Sequence, residues 1–161
     1  MKFAVLLFPL LATPVHAEMV GTLGAPWDGV NVPKGQHCQL LQGEGSTPPM
    51  TLTGLPAGTV AVHLEFNDLT YTPLSTDGGH GIIGIRVTGP DADLPSVPAM
   101  TDVLPEPAFV VKKARAPSPY NSDGYLPPCS GGRGNEYSVT VKAVDAADAV
   151  LEQVTLPMGR Y

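Results

Sequence analysis

The chain has 161 residues, of which 43% are hydrophobic and 15% charged, with a formal net charge of −6. That length holds one core of ordinary size, and an acidic chain with its acids scattered argues against nucleic acid or an anionic membrane surface as the main partner. Gly and Pro number 18 each, too many for long helices and suited to short strands joined by turns, so the fold class expected from composition is mainly β with little helix.

Lys2 is followed by an almost wholly apolar run over 3–12, then by Thr13-Pro14-Val15-His16-Ala17. The run is too short to span a bilayer. Small residues at Val15 and Ala17 read as a signal-peptidase site, so 1–17 is expected to be a cleaved signal peptide and 18–161 a single mature domain. The alternative is a buried N-terminal strand or helix. Cleavage removes one Lys and no acid, which takes the formal charge to −7. No Cys follows the cleavage point, so a lipid anchor is not indicated.

Strands are expected in chain order. Residues 50–53 form a short candidate. Residues 59–66 alternate, with Val60, Val62, Leu64 and Phe66 on one face and Ala61, His63 and Glu65 on the other, the pattern of a half-buried strand. Residues 81–87 are more continuously apolar and read as a central strand. From Gly89 to Pro128 the chain is mostly loop, punctuated by prolines, with one short candidate at 109–111; connections this long tend to be functional. Lys112, Lys113 and Arg115 in it read as a solvated face rather than an anion site. Gly131-Gly132-Arg133-Gly134 lacks the Lys-Ser/Thr ending of a phosphate loop and reads as a flexible turn. Residues 137–144 alternate again, Tyr137, Val139, Val141 and Ala143 against Ser138, Thr140 and Lys142. Asp145 could cap a brief turn, and 150–156 close the set.

Two cysteines remain in the mature chain, Cys38 and Cys129. In an oxidising compartment a pair reads as one disulfide, here closing a loop of about ninety residues, though two separate buried thiols would also satisfy the count.

The chain carries no nucleophile elbow and no His-Glu-x-x-His zinc helix. His37, His63 and His80 are not paired at metal-ligand spacing, so neither a metal nor a cofactor is expected. His80 stands out. It lies in Asp77-Gly78-Gly79-His80-Gly81 at the mouth of the 81–87 strand, and its glycines allow close approach. Asp68 follows the 59–66 strand. If those strands are neighbours, Asp68 and His80 meet at one sheet edge, where a carboxylate would favour the imidazolium and orient it as a donor to an anion. A turn Asp and a surface His are the plainer reading of the same spacing.

A series of landmarks then resembles the phosphatidylethanolamine-binding protein (PEBP) family, in its small bacterial and archaeal branch. Asp28-Gly29, Val32-Pro33 and Cys38 resemble its opening segment. Ser46-Thr47-Pro48-Pro49-Met50 and Gly54-Leu55-Pro56-Ala57-Gly58-Thr59 are similar to its most specific stretch. Asp68 falls where its Asp-Pro-Asp-Ala-Pro motif begins, and His80 at its pocket histidine. Gly124-Tyr125-Leu126-Pro127-Pro128-Cys129 resembles its Gly-Tyr-x-Gly-Pro-Cys loop, Tyr137 the end of its His-Arg-Tyr motif, and 156–160 its closing strand. The departures are Leu69 and Thr70 within the first motif, Gly79 for an aromatic residue, Asn135 and Glu136 for the His-Arg pair, and a much reduced helix near Ala147.

The resemblance implies a large antiparallel sheet packed on a smaller one, with a pocket at one end, and supports a Cys38–Cys129 bridge. It implies a binding or modulatory protein that takes a small anion or a phosphate-like head group; with the expected signal peptide and the missing enzyme motifs, the expectation is a periplasmic or secreted protein that is not an enzyme. Asp68 and His80 would orient the ligand, with Tyr125, Pro127, Pro128, Asn135 and Tyr137 around it. Glu136 near the site should weaken anion binding and Gly79 should widen it. Two other readings stand beside this one: a protein-interaction module with a degenerate pocket, for which the changes at Thr70, Gly79 and Asn135 speak, and a hydrolase using Asp68–His80 as base, which lacks a placed nucleophile.

Overall fold

The computed structural model describes residues 18–161, so the expected signal peptide lies outside the described residues. The strands, in chain order, are β1 (Val20–Leu23), β2 (Met50–Thr53), β3 (Ala61–Asp68), β4 (Ile82–Arg86), β5 (Ala92–Leu94), β6 (Ala108–Lys112), β7 (Glu136–Val144) and β8 (Val150–Arg160). A three-stranded sheet runs β1-β2-β5 and a five-stranded sheet β6-β4-β3-β7-β8, with every pair antiparallel. Among the described residues helix is confined to two single 3-10 turns, Gln39–Leu41 and Thr72–Leu74. The mainly β architecture, a larger sheet on a smaller one, is the one expected.

The core lies between the sheets. Met50 and Leu52 of β2 and Leu94 of β5 meet Val62, Leu64 and Phe66 of β3, Ile83 and Ile85 of β4, and Val139 and Val141 of β7. These are the apolar halves of alternating strands, and removing them from water is the main favourable term in the fold. A smaller cluster of Cys38, Leu74, Ala114, Ala116 and Leu126 supports the end where β3 stops and β4 and β7 begin.

Strand β3 departs from its expected half-exposed character: Glu65 is 7% exposed and Asn67 5%. As the middle strand of five it is shielded on its polar face by its neighbours. Lys142 of β7 reaches Glu65 at 2.5 Å, Asn67 donates to Glu65 at 3.1 Å, and the Phe109 ring of β6 lies over Gly84 beside His63. Strand β8 joins the 150–156 segment read from the pattern to the closing strand that the resemblance implied at 156–160. Pro157 is tolerated there because β8 is an edge strand with a register irregularity opposite Tyr137 and Ser138. Strands β1 and β5, of four and three residues, are too short to have shown a pattern. Asp145 does cap a turn, accepting from the N–H groups of Ala147 and Ala149, but the turn joins β7 and β8 as a hairpin and forms no helix.

Cys38 and Cys129 are bonded, with 5.3 Å between their Cα atoms and a sequence separation of 91. Closing a loop that long restricts the unfolded chain, and on the chain-entropy model the bridge is worth on the order of 4 kcal/mol. Urea unfolding of residues 18–161 with and without reductant should show a loss of about 3–5 kcal/mol on reduction; unchanged stability would mean that the bridge holds nothing the sheets do not.

Candidate functional site

Strand β3 ends on Asp68, which pairs with Tyr137 near the start of β7. Asp68 is only 3% exposed. Its Oδ1 accepts the backbone N–H groups of Thr70 and Tyr71, each at 3.0 Å, and its Oδ2 accepts from Asn135 Nδ2 at 2.7 Å. One carboxylate thus turns the chain out of β3 and fixes the segment that leads into β7. Thr70, at the place of the family's second Asp, extends the tie by accepting from Glu136 N at 2.9 Å.

His80 is placed by β3 and β4 together. Its N–H donates to the Phe66 carbonyl at 2.9 Å, and Phe66 N–H donates to Gly81 at 3.1 Å. Leu126, 46 residues on, docks against it twice: Leu126 N–H donates to the His80 carbonyl and His80 Nδ1–H to the Leu126 carbonyl, both at 2.8 Å. The glycines on either side are sterically required. A Cβ on Gly79 would come within 2.1 Å of the Leu74 carbonyl oxygen, and one on Gly81, at φ +102°, within 2.7 Å of the Gly124 oxygen. An aromatic side chain at 79 has no room here. The site is therefore not widened by Gly79; the 72–74 turn fills that space.

These side chains face a cavity of about 430 Å³. Asp68, His80, Asn135 and Tyr137 line it, and the ring of Tyr137 meets His80 edge-on at 5.4 Å. The other expected ligand residues do not. Tyr125 is buried in the main core against Phe66, Pro127 packs towards Gly45, and Pro128 gives its carbonyl to Cys38 N–H. The wall on that side comes from Leu126 and Cys129, the intervening residues having turned their side chains away. Glu136 is also directed elsewhere. It pairs with Arg160 across the β7–β8 ladder and lines a separate groove with Leu69 and Pro157, so it does not oppose an anion in the cavity.

Several lining residues gave no sequence signal. Tyr71 and Tyr120 are 47% and 39% exposed at the mouth, with Ser118 and Ser130 beside them. Arg133, from the segment read as a flexible turn, also lines the cavity, is exposed, and has no ion-pair or hydrogen-bond partner among the described residues. Its loop is anchored at both ends by Cys129 in the disulfide and by Ser130 and Gly134 donating to the Tyr161 carbonyl at 2.5 and 2.8 Å. Of the expected basic cluster, Lys112 and Arg115 are spent on Asp77, which secures the 72–79 segment.

The electrostatics differ from expectation at His80. Burial depresses its pKa, against the opposing pull of the Leu126 hydrogen bond and the Asp68 charge. A carbonyl oxygen can only accept, so Nδ1 carries the proton and Nε2, which has no protein partner, is left as an acceptor. Asp68 and His80 share no hydrogen bond. The imidazolium expected from their proximity is thus replaced by a neutral imidazole. The Tyr137 hydroxyl is pushed up to about 12, chiefly by burial, with Asp68 adding to the rise, and stays a neutral phenol.

Comparison with solved structures bears on this geometry. A Chlamydia trachomatis protein described as a phosphatidylethanolamine-binding protein homolog superposes with a TM-score of 0.59, at 19% sequence identity, over 89% of this chain and 97% of that one. The fold is PEBP-like. No family model matches the sequence, and no curated protein matches it. The PEBP-like fold accounts for the two sheets.

The depressed pKa of His80 makes a signed prediction. Below the ordinary value of 6.5 the unfolded chain takes up a proton that the folded chain refuses. The His80 contribution to stability is present above that pH and lost as pH falls towards the folded value. Wild type should lose stability between pH 7 and 5 more steeply than His80→Gln in urea unfolding; parallel pH profiles would contradict a neutral buried His80.

Proposed function

We propose that the chain is an exported, non-enzymatic binding protein whose cavity receives a small head group, with the anionic, phosphate-like part of that ligand held at the rim by Arg133. The observation that carries this reading is the unpaired Arg133 guanidinium on a cavity floored by buried polar side chains. Cavities that are mostly apolar with a few convergent polar groups are where small ligands bind, and guanidinium suits phosphate by geometry as well as charge. Ser118 and Ser130 add hydroxyl donors to the same lining. The disulfide supports export to an oxidising compartment, periplasmic or extracellular.

Binding is favoured over catalysis by what His80 does with its proton. Nδ1–H goes to the Leu126 carbonyl rather than to the Asp68 carboxylate, which counts against the pair acting as an oriented base.

NMR titration of residues 18–161 with phosphate and with phosphorylethanolamine should give saturable amide shifts in the 130–135 loop at millimolar ligand. Arg133→Gln should weaken the phosphate response about tenfold, the loss of a charge-assisted hydrogen bond. Flat spectra with both ligands would overturn the reading in favour of a protein-interaction module.

A further inference from the structure

Strand β8 is an edge strand with an open outer side. Among the described residues no strand or loop backbone bonds to that side between Val150 and Pro157. The 30–32 segment takes the place only at Arg160, whose N–H donates to the Val30 carbonyl and whose carbonyl accepts from Val32 N–H. An open edge presents unpaired N–H and C=O groups and is a template for another chain unless something blocks it. The other edges are short or guarded. Strand β6 has Pro105 and Pro107 before it and Lys112-Lys113 at its end, β5 is three residues between Asp91 and Pro95, and β1 is four. The stretch Val150-Leu151-Glu152-Gln153-Val154-Thr155-Leu156 holds no Lys and no Pro. Its one charge, Glu152, is occupied by Met19 N–H at 2.8 Å.

The two ends of this stretch differ in shape. At its start Val150 is 50% exposed and Leu151 41%. At its far end Thr155 and Pro157 line a groove of about 490 Å³, together with the exposed side chains of Val30 and Leu69. One end of the strand is thus a protruding apolar pair, and the other is a hollow with apolar walls.

We propose that a second copy of this chain pairs antiparallel along β8, about a two-fold axis at Gln153. That register sets Leu151 opposite Thr155 of the other copy and Val150 opposite Leu156, and the axis repeats both pairs in reverse. The apolar start of each strand therefore lies at the groove end of the other. Glu152 falls opposite Val154, so no like charges face each other, and the neutral Gln153 faces itself. A two-fold contact has to be self-complementary, and a single strand that carries both the projection and the hollow meets that condition with a copy of itself. The two five-stranded sheets then join into one continuous sheet. None of residues 150–156 lines the cavity at Asp68, so the contact leaves that site open and is independent of the binding reading above.

Sedimentation velocity of residues 18–161 from micromolar to millimolar concentration tests this. Wild type should show a concentration-dependent monomer–dimer equilibrium. Gln153→Lys and Gln153→Glu each set like charges against one another across the axis, and each should weaken the dimer about tenfold or more. An equal mixture of the two variants should recover it as a heterodimer, because Lys then faces Glu. Gln153 is exposed, so both variants should keep the fold, and recovery on mixing separates pairing from any effect on folding. A wild-type protein that stays monomeric at millimolar concentration would overturn the proposal. So would a dimer that neither substitution weakens, or one that both weaken and the mixture does not restore.

Discussion

The functional end of this protein depends on one carboxylate. Asp68 closes β3, pairs in register with Tyr137, and collects the N–H groups of Thr70 and Tyr71 together with the Asn135 amide. Those bonds join the chain leaving β3 to the chain entering β7, beside the Leu69 N–H to Glu136 carbonyl bond and the Glu136 N–H to Thr70 bond. The carboxylate is kept almost fully out of water with only neutral donors around it. This is a costly arrangement for stability alone, since charges this deep are usually paired.

Around that carboxylate, close backbone approach does what bulky side chains do elsewhere. Gly79 and Gly81 let three separate segments converge on His80: the 72–74 turn, the 124–126 loop and the chain at Arg115, whose N–H donates to the Gly79 carbonyl at 3.0 Å. The disulfide and the C-terminal residue Tyr161 then fix the far wall, the loop that carries Arg133. The same cavity is thus lined by the buried Asp68 and His80 and by an exposed arginine that has no ion-pair partner among the described residues.

Much of the scaffold was legible before any coordinates. The period-two alternation of 59–66 and 137–144 placed the inward residues of β3 and β7, and the ends of two strands brought Asp68 and His80 to one edge. What stayed hidden depended on contacts distant in sequence. The burial of Glu65 and Asn67 follows from the position of β3 at the middle of five strands, which alternation alone does not reveal. The neutral state of His80 is set by burial, while its tautomer is set by a carbonyl 46 residues away. Tyr71, Tyr120 and Arg133 sit in segments with no period, so only the folded loops bring them to the cavity. Resemblance to known PEBP motifs misled at Tyr125, Pro127 and Pro128, where a motif's presence does not say which way its side chains turn. It misled also at Glu136, which has Arg160 as a partner in the adjacent strand.

The central claim is that Asp68 holds the cavity together through its hydrogen bonds to Thr70 and Tyr71. Amide hydrogen exchange at those two residues tests it most directly, because both are exposed and have no strand partner to slow them. The account predicts exchange slowed by roughly ten- to a hundredfold relative to free chain, as for other hydrogen-bonded amides that open locally at a cost of about 1.4–2.8 kcal/mol. Exchange at the free-chain rate would mean that the carboxylate does not grip this turn, and the cavity would need another explanation.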